Sequence, residues 1–179
     1  MFTSDNSVLI VVDVQEKLAS VMNDIDPVVN NIKTLVESFK LLGANIINCR
    51  QYPKALGQTV SPILQALGDH QPVDKFTFSC FSDDGFKAEL KKTNCKKVVL
   101  CGIESHVCVY QTAVELLSAS YEVAVVCDAI TSRTQASKDI AIKRMTQENV
   151  KLFNTEMLLF EMLRSSKHPN FKEIAKLIK

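Results

Sequence analysis

Short runs of apolar, largely β-branched residues recur along this chain of 179 residues and limit the folds that it can adopt. The runs are Val8–Val12, Asn45–Cys49, Lys97–Cys101, Glu122–Cys127 and Val150–Phe153, with a weaker run at Val73–Phe78. Continuous apolar runs of this length, without alternating polar residues, are typical of strands that are buried on both faces of a parallel sheet. The sequence therefore predicts a set of buried strands.

Helical patterns lie between these runs. The clearest covers Val28–Leu42, where apolar residues form one stripe and Gly43 follows as a helix-ending residue. Further helices are predicted at Val60–Leu67, Gly85–Lys92, His106–Ala119, Ser137–Asn149, Thr155–Arg164 and Phe171–Ile178. Alternating strands and helices predict an α/β fold with a mainly parallel sheet and helices on both faces. No linker, repeat or low-complexity tract interrupts the pattern, so we expect one domain over residues 1–179.

The charge balance excludes some classes of function. Lys and Arg total 21 and Asp and Glu total 20, which gives a net charge of +1. Near-neutrality argues against a dedicated nucleic-acid-binding or membrane-surface protein. No apolar stretch approaches the roughly 18 residues of a membrane-spanning helix. We expect a small-molecule substrate, with neither a nucleic acid nor a membrane as partner.

Six cysteines are an unusual number for an average composition. None forms a C-x-x-C pair or lies at zinc-finger spacing from a histidine, so no metal is predicted. The N-terminal segment carries acidic residues where a signal peptide has basic ones, so we expect reduced thiols and a cytoplasmic protein. The glycine-rich dinucleotide and phosphate-binding motifs are absent, so no cofactor is predicted.

Polar residues follow several of the apolar runs, and in parallel α/β sheets ligands bind at the carboxyl ends of the strands. Asp13 comes directly after the first run. An aspartate in this position can serve acid–base chemistry or cap the N-terminus of a helix, and the sequence leaves both roles open.

Cys108 is the candidate nucleophile. It follows Lys97–Cys101 through Gly102, which permits a tight turn, and lies in the first turn of the next predicted helix. A helix N-terminus stabilises a thiolate, so this position predicts a lowered pKa for Cys108; its free N–H groups also suit an oxyanion. Lys75 would hold Asp13 and Cys108 as anions. The alternatives are a buried, inert cysteine and a solvated surface lysine.

Several motifs together resemble a known family. They are D-V-Q at Asp13–Gln15, KFTFSCF at Lys75–Phe81, GIESHVCV at Gly102–Val109, and the shorter blocks Gln111–Ala113, Val126–Ala129 and Ser132–Arg133. In this order they resemble the isochorismatase-like cysteine hydrolases, in particular the isochorismatase domain-containing branch. The resemblance extends from about Val8 to Phe160.

The resemblance implies a three-layer α/β/α sandwich with a six-stranded, mainly parallel sheet. It implies a catalytic triad of Asp13, Lys75 and Cys108. It also implies a cis peptide bond before Glu104 and an oxyanion hole formed by the backbone N–H groups of Glu104 and Cys108. We expect Gln15, Phe81 and Ile103 to line the substrate pocket, and we expect a homo-oligomer.

Two departures from related branches sharpen the functional prediction. The nicotinamidase branch carries a metal-binding D-x-H motif where this chain has Cys49–Pro53 without a histidine, which again predicts no metal. True isochorismatases, which cleave a vinyl ether, lack the nucleophilic cysteine that this chain has at Cys108. We therefore predict a cysteine-dependent hydrolase of a small amide or related C–N bond. The alternatives are a low-turnover binding or scaffold protein, and a redox role in which Cys80 resolves Cys108.

Overall fold

The computed structural model describes residues 1–179 and contains one sheet of six strands. The strands are β1 (Ser7–Val12), β2 (Asn45–Gln51), β3 (Val73–Lys75), β4 (Lys97–Ile103), β5 (Glu122–Thr131) and β6 (Lys151–Phe153). Every neighbouring pair is parallel, and the spatial order is β3-β2-β1-β4-β5-β6. The predicted α/β class and parallel sheet are confirmed.

Nine α-helices lie between and after the strands along the chain. They are α1 (Glu16–Ala19), α2 (Ile25–Leu41), α3 (Pro53–Leu56), α4 (Ser61–Leu67), α5 (Asp84–Lys92), α6 (Tyr110–Ser118), α7 (Gln135–Gln147), α8 (Thr155–Leu163) and α9 (Phe171–Leu177). The sequence did not predict α1 and α3, because one-turn helices leave no periodic pattern. No helix is both long and apolar enough to cross a membrane.

The core has two parts, one on each face of the sheet. Successive residues of β1 alternate between them: Leu9 and Val11 pack with α2, α4, α8 and α9, whereas Val8, Ile10 and Val12 pack with α5, α6 and α7. This arrangement forms the expected three layers. It also explains why the strands read as continuous apolar runs, since both of their faces are covered.

The predicted strand Val73–Phe78 is wrong in its second half. Only Val73–Lys75 pairs with β2, at the edge of the sheet. Beyond Lys75 the chain turns back, and the carbonyl oxygens of Thr77 and Phe78 both accept hydrogen bonds from Lys75 Nζ at 3.1 Å. The polar partner of these carbonyls is therefore a side chain and not a neighbouring strand.

Strand order reverses between β1 and β4, because β2 continues the sheet on one side and β5 on the other. A crevice forms at such a reversal, outside the carboxyl ends of the two central strands. Asp13 follows β1, and the turn that carries Cys108 follows β4. The fold thus brings two of the predicted site residues to the place where α/β proteins bind ligands.

Candidate active site

Asp13 lies fully buried at the end of β1. Its φ of +53° turns the chain out of the strand, and its N–H donates to the carbonyl oxygen of Cys49 at 3.1 Å. The N-cap position of α1 is occupied by Gln15, and the Asp13 carboxylate accepts instead from Lys75 Nζ at 2.7 Å. The helix-capping alternative for Asp13 is therefore wrong.

Lys75 is also fully buried, which contradicts the alternative of a solvated surface lysine. Its ammonium group donates to Asp13 Oδ2 at 2.7 Å and to Gln51 Oε1 at 2.8 Å, in addition to the carbonyls of Thr77 and Phe78. Burial lowers the pKa of Lys75, but the Asp13 carboxylate, together with Cys80 and Cys108, raises it by more, so the net pKa is raised. Lys75 therefore stays cationic.

Cys108 lies on one π-helical turn, Ser105–Val109, that leads directly into α6. Its residue exposure is 7%, so the thiol is close to solvent without being open to it. The Cys108 thiol and the Asp13 carboxylate are near enough for each to shift the pKa of the other. Asp13 Oδ1 is buried and accepts no hydrogen bond of ordinary geometry, so one oxygen of the carboxylate is left without a partner.

The expected low pKa of Cys108 is wrong for the free protein. Burial and the adjacent Asp13 carboxylate raise the pKa of the thiol well above its ordinary value, and Lys75 only partly opposes them. The helix N-terminus that motivated the expectation lies in a buried setting next to an anion, and both burial and the anion disfavour a thiolate. Burial also raises the pKa of Asp13 despite the Lys75 cation, which makes this carboxylate a better base.

A cavity of ≈ 130 Å³ adjoins Cys108. Its apolar wall consists of Leu18, Leu56, Phe78, Val107 and Cys108, and its polar residues are Gln51 and Glu104. The three predicted pocket residues are all absent from this wall. The sequence placed them there because they belong to the same motifs as the triad, and the structure gives each of them another position.

Gln15 is fully buried and holds backbone groups of two neighbouring segments. Its Nε2 donates to the carbonyls of Gln51 and Gly57, and its Oε1 accepts from the Gln51 N–H. Ile103 packs in the core on the α2 side of the sheet. Phe81 packs edge-on against Tyr121 and lines a separate groove near Glu115. None of the three is a residue of the Cys108 cavity.

The crevice of the parallel sheet thus holds a buried ion pair, a neighbouring thiol and an adjoining cavity. The sequence that forms this site also matches a protein-family model. The model described as the isochorismatase domain matches residues 7–157. The chain belongs to the isochorismatase family. Its members share the hydrolase fold described above, and the resemblance found in the motifs is confirmed.

Relatives in the isochorismatase family match almost the whole chain. Isochorismatase domain-containing protein 2 of Danio rerio is 38% identical over 98% of this chain and 88% of its own length. A secreted isochorismatase effector of Phytophthora sojae is 36% identical over 97% and 85%. The solved structure of a MAR1 ribonuclease from Caenorhabditis elegans is 36% identical, covers 99% of this chain and 91% of its own, and superposes with a TM-score of 0.93.

The sequence did not predict one polar residue of this isochorismatase-family site and predicted only the backbone role of another. Gln51 lines the cavity and binds Lys75, and its Nε2 donates to the Phe76 carbonyl at 2.8 Å. Its position at the carboxyl end of β2 was a usable signal. Glu104 was predicted through its backbone alone, yet the residue also lines the cavity, and its carboxylate pairs with Arg133 at 3.0 Å.

The peptide bond between Ile103 and Glu104 is cis. The Glu104 N–H has no acceptor within the protein, whereas its carbonyl accepts from the N–H groups of Val107 and Val109. Glu104 thus joins β4 to the turn of Cys108, and its backbone N–H makes no hydrogen bond within the protein.

The remaining cysteines are all unpaired. Cys49, Cys80, Cys95 and Cys101 are buried and Cys127 is half-buried. Burial, followed by the neighbouring Cys80 thiol, raises the pKa of Cys49. Cys80 does not line the cavity of Cys108. No three His, Cys, Asp or Glu side chains come together as a metal-binding group.

Proposed function

We propose that the protein is a cysteine-dependent hydrolase that cleaves a small amide or related C–N bond through an acyl-enzyme on Cys108. The observation that carries this proposal is the convergence of Asp13, Lys75 and Cys108 beside a cavity. A buried carboxylate that is held by a lysine and faces a thiol is the arrangement that proton transfer from a cysteine requires.

In the first half-reaction, Asp13 takes the proton of Cys108 while the sulfur attacks the substrate carbonyl carbon. The proton is transferred during attack, because the resting thiol is protonated. The tetrahedral oxyanion then accepts hydrogen bonds from the backbone N–H groups of Glu104 and Cys108. Loss of one such donor typically costs about a hundredfold to a thousandfold in kcat. Asp13 returns the proton to the departing nitrogen, the C–N bond breaks, and a thioester remains.

In the second half-reaction, water replaces the amine. Asp13 takes a proton from water as the oxygen attacks the thioester, and the C–S bond breaks when the acid product leaves. The proton returns to the Cys108 sulfur, so the enzyme ends as it began. Lys75 keeps Asp13 oriented through both steps, and Gln51 in turn positions Lys75.

Mass spectrometry of the enzyme with a small amide tests this mechanism. After rapid acid quenching with butyramide, the peptide that contains Cys108 should carry the butyryl mass, and ammonia should be released. Cys108→Ala should abolish both signals, and Cys95→Ala, which removes another buried thiol, should leave both unchanged. Ammonia release that persists in Cys108→Ala, or an absence of both signals in the wild type, would contradict the mechanism.

One solved relative favours a second candidate function, cleavage of RNA. The structure with 36% identity is described as a ribonuclease. In this chain, however, no residue that lines the cavity at Cys108 is a cation that could pair with the phosphate of an RNA backbone. The small amide therefore remains our first proposal. Cleavage of labelled single-stranded RNA by the wild type but not by Cys108→Ala would reverse this order.

We propose that the protein forms a homo-oligomer through the aromatic residues beside the cavity. Phe76 is 73% exposed and Phe78 is 58% exposed, and the Phe76 ring packs against Tyr52 with centroids 5.2 Å apart. Large exposed aromatic side chains in one place are typical of an interface. Light scattering should give a multiple of the 19.9 kDa chain mass, and Phe76→Ser should reduce it. A monomer in the wild type would contradict this assignment.

We also propose that the protein acts in a reducing compartment, because all six of its cysteines are unpaired. One relative is described as a secreted effector, so secretion is the competing possibility. Fractionation of the producing cell distinguishes the two, and recovery of the protein outside the cell would contradict the proposal.

A further inference from the structure

The cavity beside Cys108 is small and mainly apolar. Four of its wall residues, Leu18, Leu56, Phe78 and Val107, have side chains that consist only of carbon and hydrogen. Its volume is ≈ 130 Å³, slightly less than the about 150 Å³ that accommodates a benzene ring. An acyl group of roughly five carbon atoms would therefore fill it.

Apart from the backbone N–H groups proposed to bind the oxyanion, the polar groups around this cavity have few hydrogen bonds left to offer. Lys75 has three ammonium protons and four acceptors within 3.1 Å, so it has no donor for a substrate anion. The Gln51 amide oxygen accepts from Lys75, and one of the two protons on its nitrogen is donated to the Phe76 carbonyl.

No residue that lines the cavity is a cation, and one of them, Glu104, is an acid. The guanidinium of Arg133, which contacts the wall residue Glu104, is paired with the Glu104 carboxylate at 3.0 Å. A substrate carboxylate in this cavity would lose its water without gaining a cationic partner, which is costly.

We propose that the substrates of this site carry a short, uncharged aliphatic acyl group of up to about five carbons, and that acyl groups bearing a second carboxylate are excluded. The inference rests on the proposed cysteine hydrolase and names its substrate class. Selection comes from apolar walls that exclude water and from the lack of any cation free to bind an anion.

Capture of aldehydes by Cys108 tests this selectivity without any turnover. An aldehyde accepts the Cys108 sulfur at its carbonyl carbon and the thiol proton at its oxygen, which gives a reversible thiohemiacetal. The probes are butyraldehyde, succinic semialdehyde, which has the same chain length with a carboxylate, and 2-naphthaldehyde, which is too large. Each affinity is measured by titration calorimetry against wild type and Cys108→Ala, and is divided by the affinity of the same aldehyde for N-acetylcysteine.

We expect normalised affinity for butyraldehyde to exceed that for either other probe by about tenfold or more, because an unpaired buried carboxylate and a poor fit are both costly. Equal or reversed affinities overturn the inference, as does an absence of saturable butyraldehyde binding at Cys108. Failure of amide hydrolysis alone overturns the proposed function and leaves the measured selectivity standing, so the two failures are distinguishable.

A variant pair at Leu56 tests the cause of the selectivity. Leu56 is a half-buried wall residue, so Leu56→Arg adds a cation to the cavity with room to reach solvent. It should shift the preference toward succinic semialdehyde by about tenfold, whereas Leu56→Gln, which is polar but uncharged, should not. Equal shifts in both variants would show that polarity, and not charge, sets the preference, and would overturn the stated cause.

Discussion

At the scale of single residues, the site depends on two opposite charges that have no contact with solvent. Lys75 Nζ and Asp13 Oδ2 are 2.7 Å apart, and both side chains are 0% exposed. Removing one partner of a buried pair leaves the other charge unpaired, which typically costs about 3–5 kcal/mol, whereas removing both together can be nearly neutral. This asymmetry separates the pair from ion pairs at the surface.

We expect Lys75→Met to abolish turnover and to lower the free energy of unfolding by about 3–5 kcal/mol. The double variant Asp13→Asn/Lys75→Met should recover most of this stability but none of the activity. Urea unfolding measures the stability of each variant. Lys92 and Glu89 supply the control, since their atoms are 2.6 Å apart but their side chains are 70% and 45% exposed, and Lys92→Met should cost less than about 1 kcal/mol. Similar losses for Lys75→Met and Lys92→Met would contradict this account.

The pKa shifts of the same residues predict a pH dependence of activity. Asp13 must be ionised to accept the thiol proton, and burial raises its pKa, so kcat/KM should fall as the pH drops through a value above the ordinary carboxyl range of about 4. Because the pKa of Lys75 is raised, its deprotonation should not limit activity at mildly alkaline pH.

A pH series of kcat/KM checks this expectation, with far-UV circular dichroism at each pH to separate titration from unfolding. An acid limb below the ordinary range would contradict the burial argument. A limb near neutral pH that follows the alkylation rate of Cys108 would indicate a resting thiolate and contradict the raised pKa of that thiol.

At the scale of elements, the strands could be predicted and the pocket could not. A strand buried on both faces appears in the sequence as a run of apolar residues, and a polar residue directly after such a run must lie at the carboxyl edge of the sheet. This reasoning located Asp13 and the turn of Cys108. The cavity wall, in contrast, combines Leu18 of α1, Leu56 of α3 and Phe78 after β3, and no local pattern encodes how these short segments meet.

The close contact between β1 and β4 at Gly102 can be tested by substitution. A Cβ at this residue would lie 2.1 Å from the Val12 carbonyl oxygen, on a backbone with φ of +120°. We therefore expect Gly102→Ala to push the two central strands apart and to prevent folding or lower Tm steeply, as measured by circular dichroism. Gly43→Ala is the control for a positive φ without the close contact: its φ of +66° lies in the left-handed region that alanine adopts at a cost of about 1–2 kcal/mol, and no atom lies within 4 Å of its Cβ. Equal losses in both variants would assign the effect to φ alone.

At the scale of the whole molecule, the two parts of the core share the same strands. Leu9 and Val11 of β1 belong to one part and Val8 and Ile10 to the other, and β4 and β5 are divided in the same way. Neither layer of helices can leave the sheet without exposing alternate residues of every central strand. We therefore expect the chain to behave as one folding unit.

Differential scanning calorimetry should show a single transition whose calorimetric and van't Hoff enthalpies agree for one chain. For 179 residues the enthalpy near 60 °C should be roughly 125 kcal/mol, from about 0.7 kcal/mol for each residue. The scan is run with reductant, because the six free thiols could otherwise couple as the chain unfolds. Repeating it over a range of protein concentrations separates subunit dissociation, which moves Tm with concentration, from domain unfolding, which does not. Two transitions that are independent of concentration would mean that the helical layers unfold separately, and that the shared strands do not couple them.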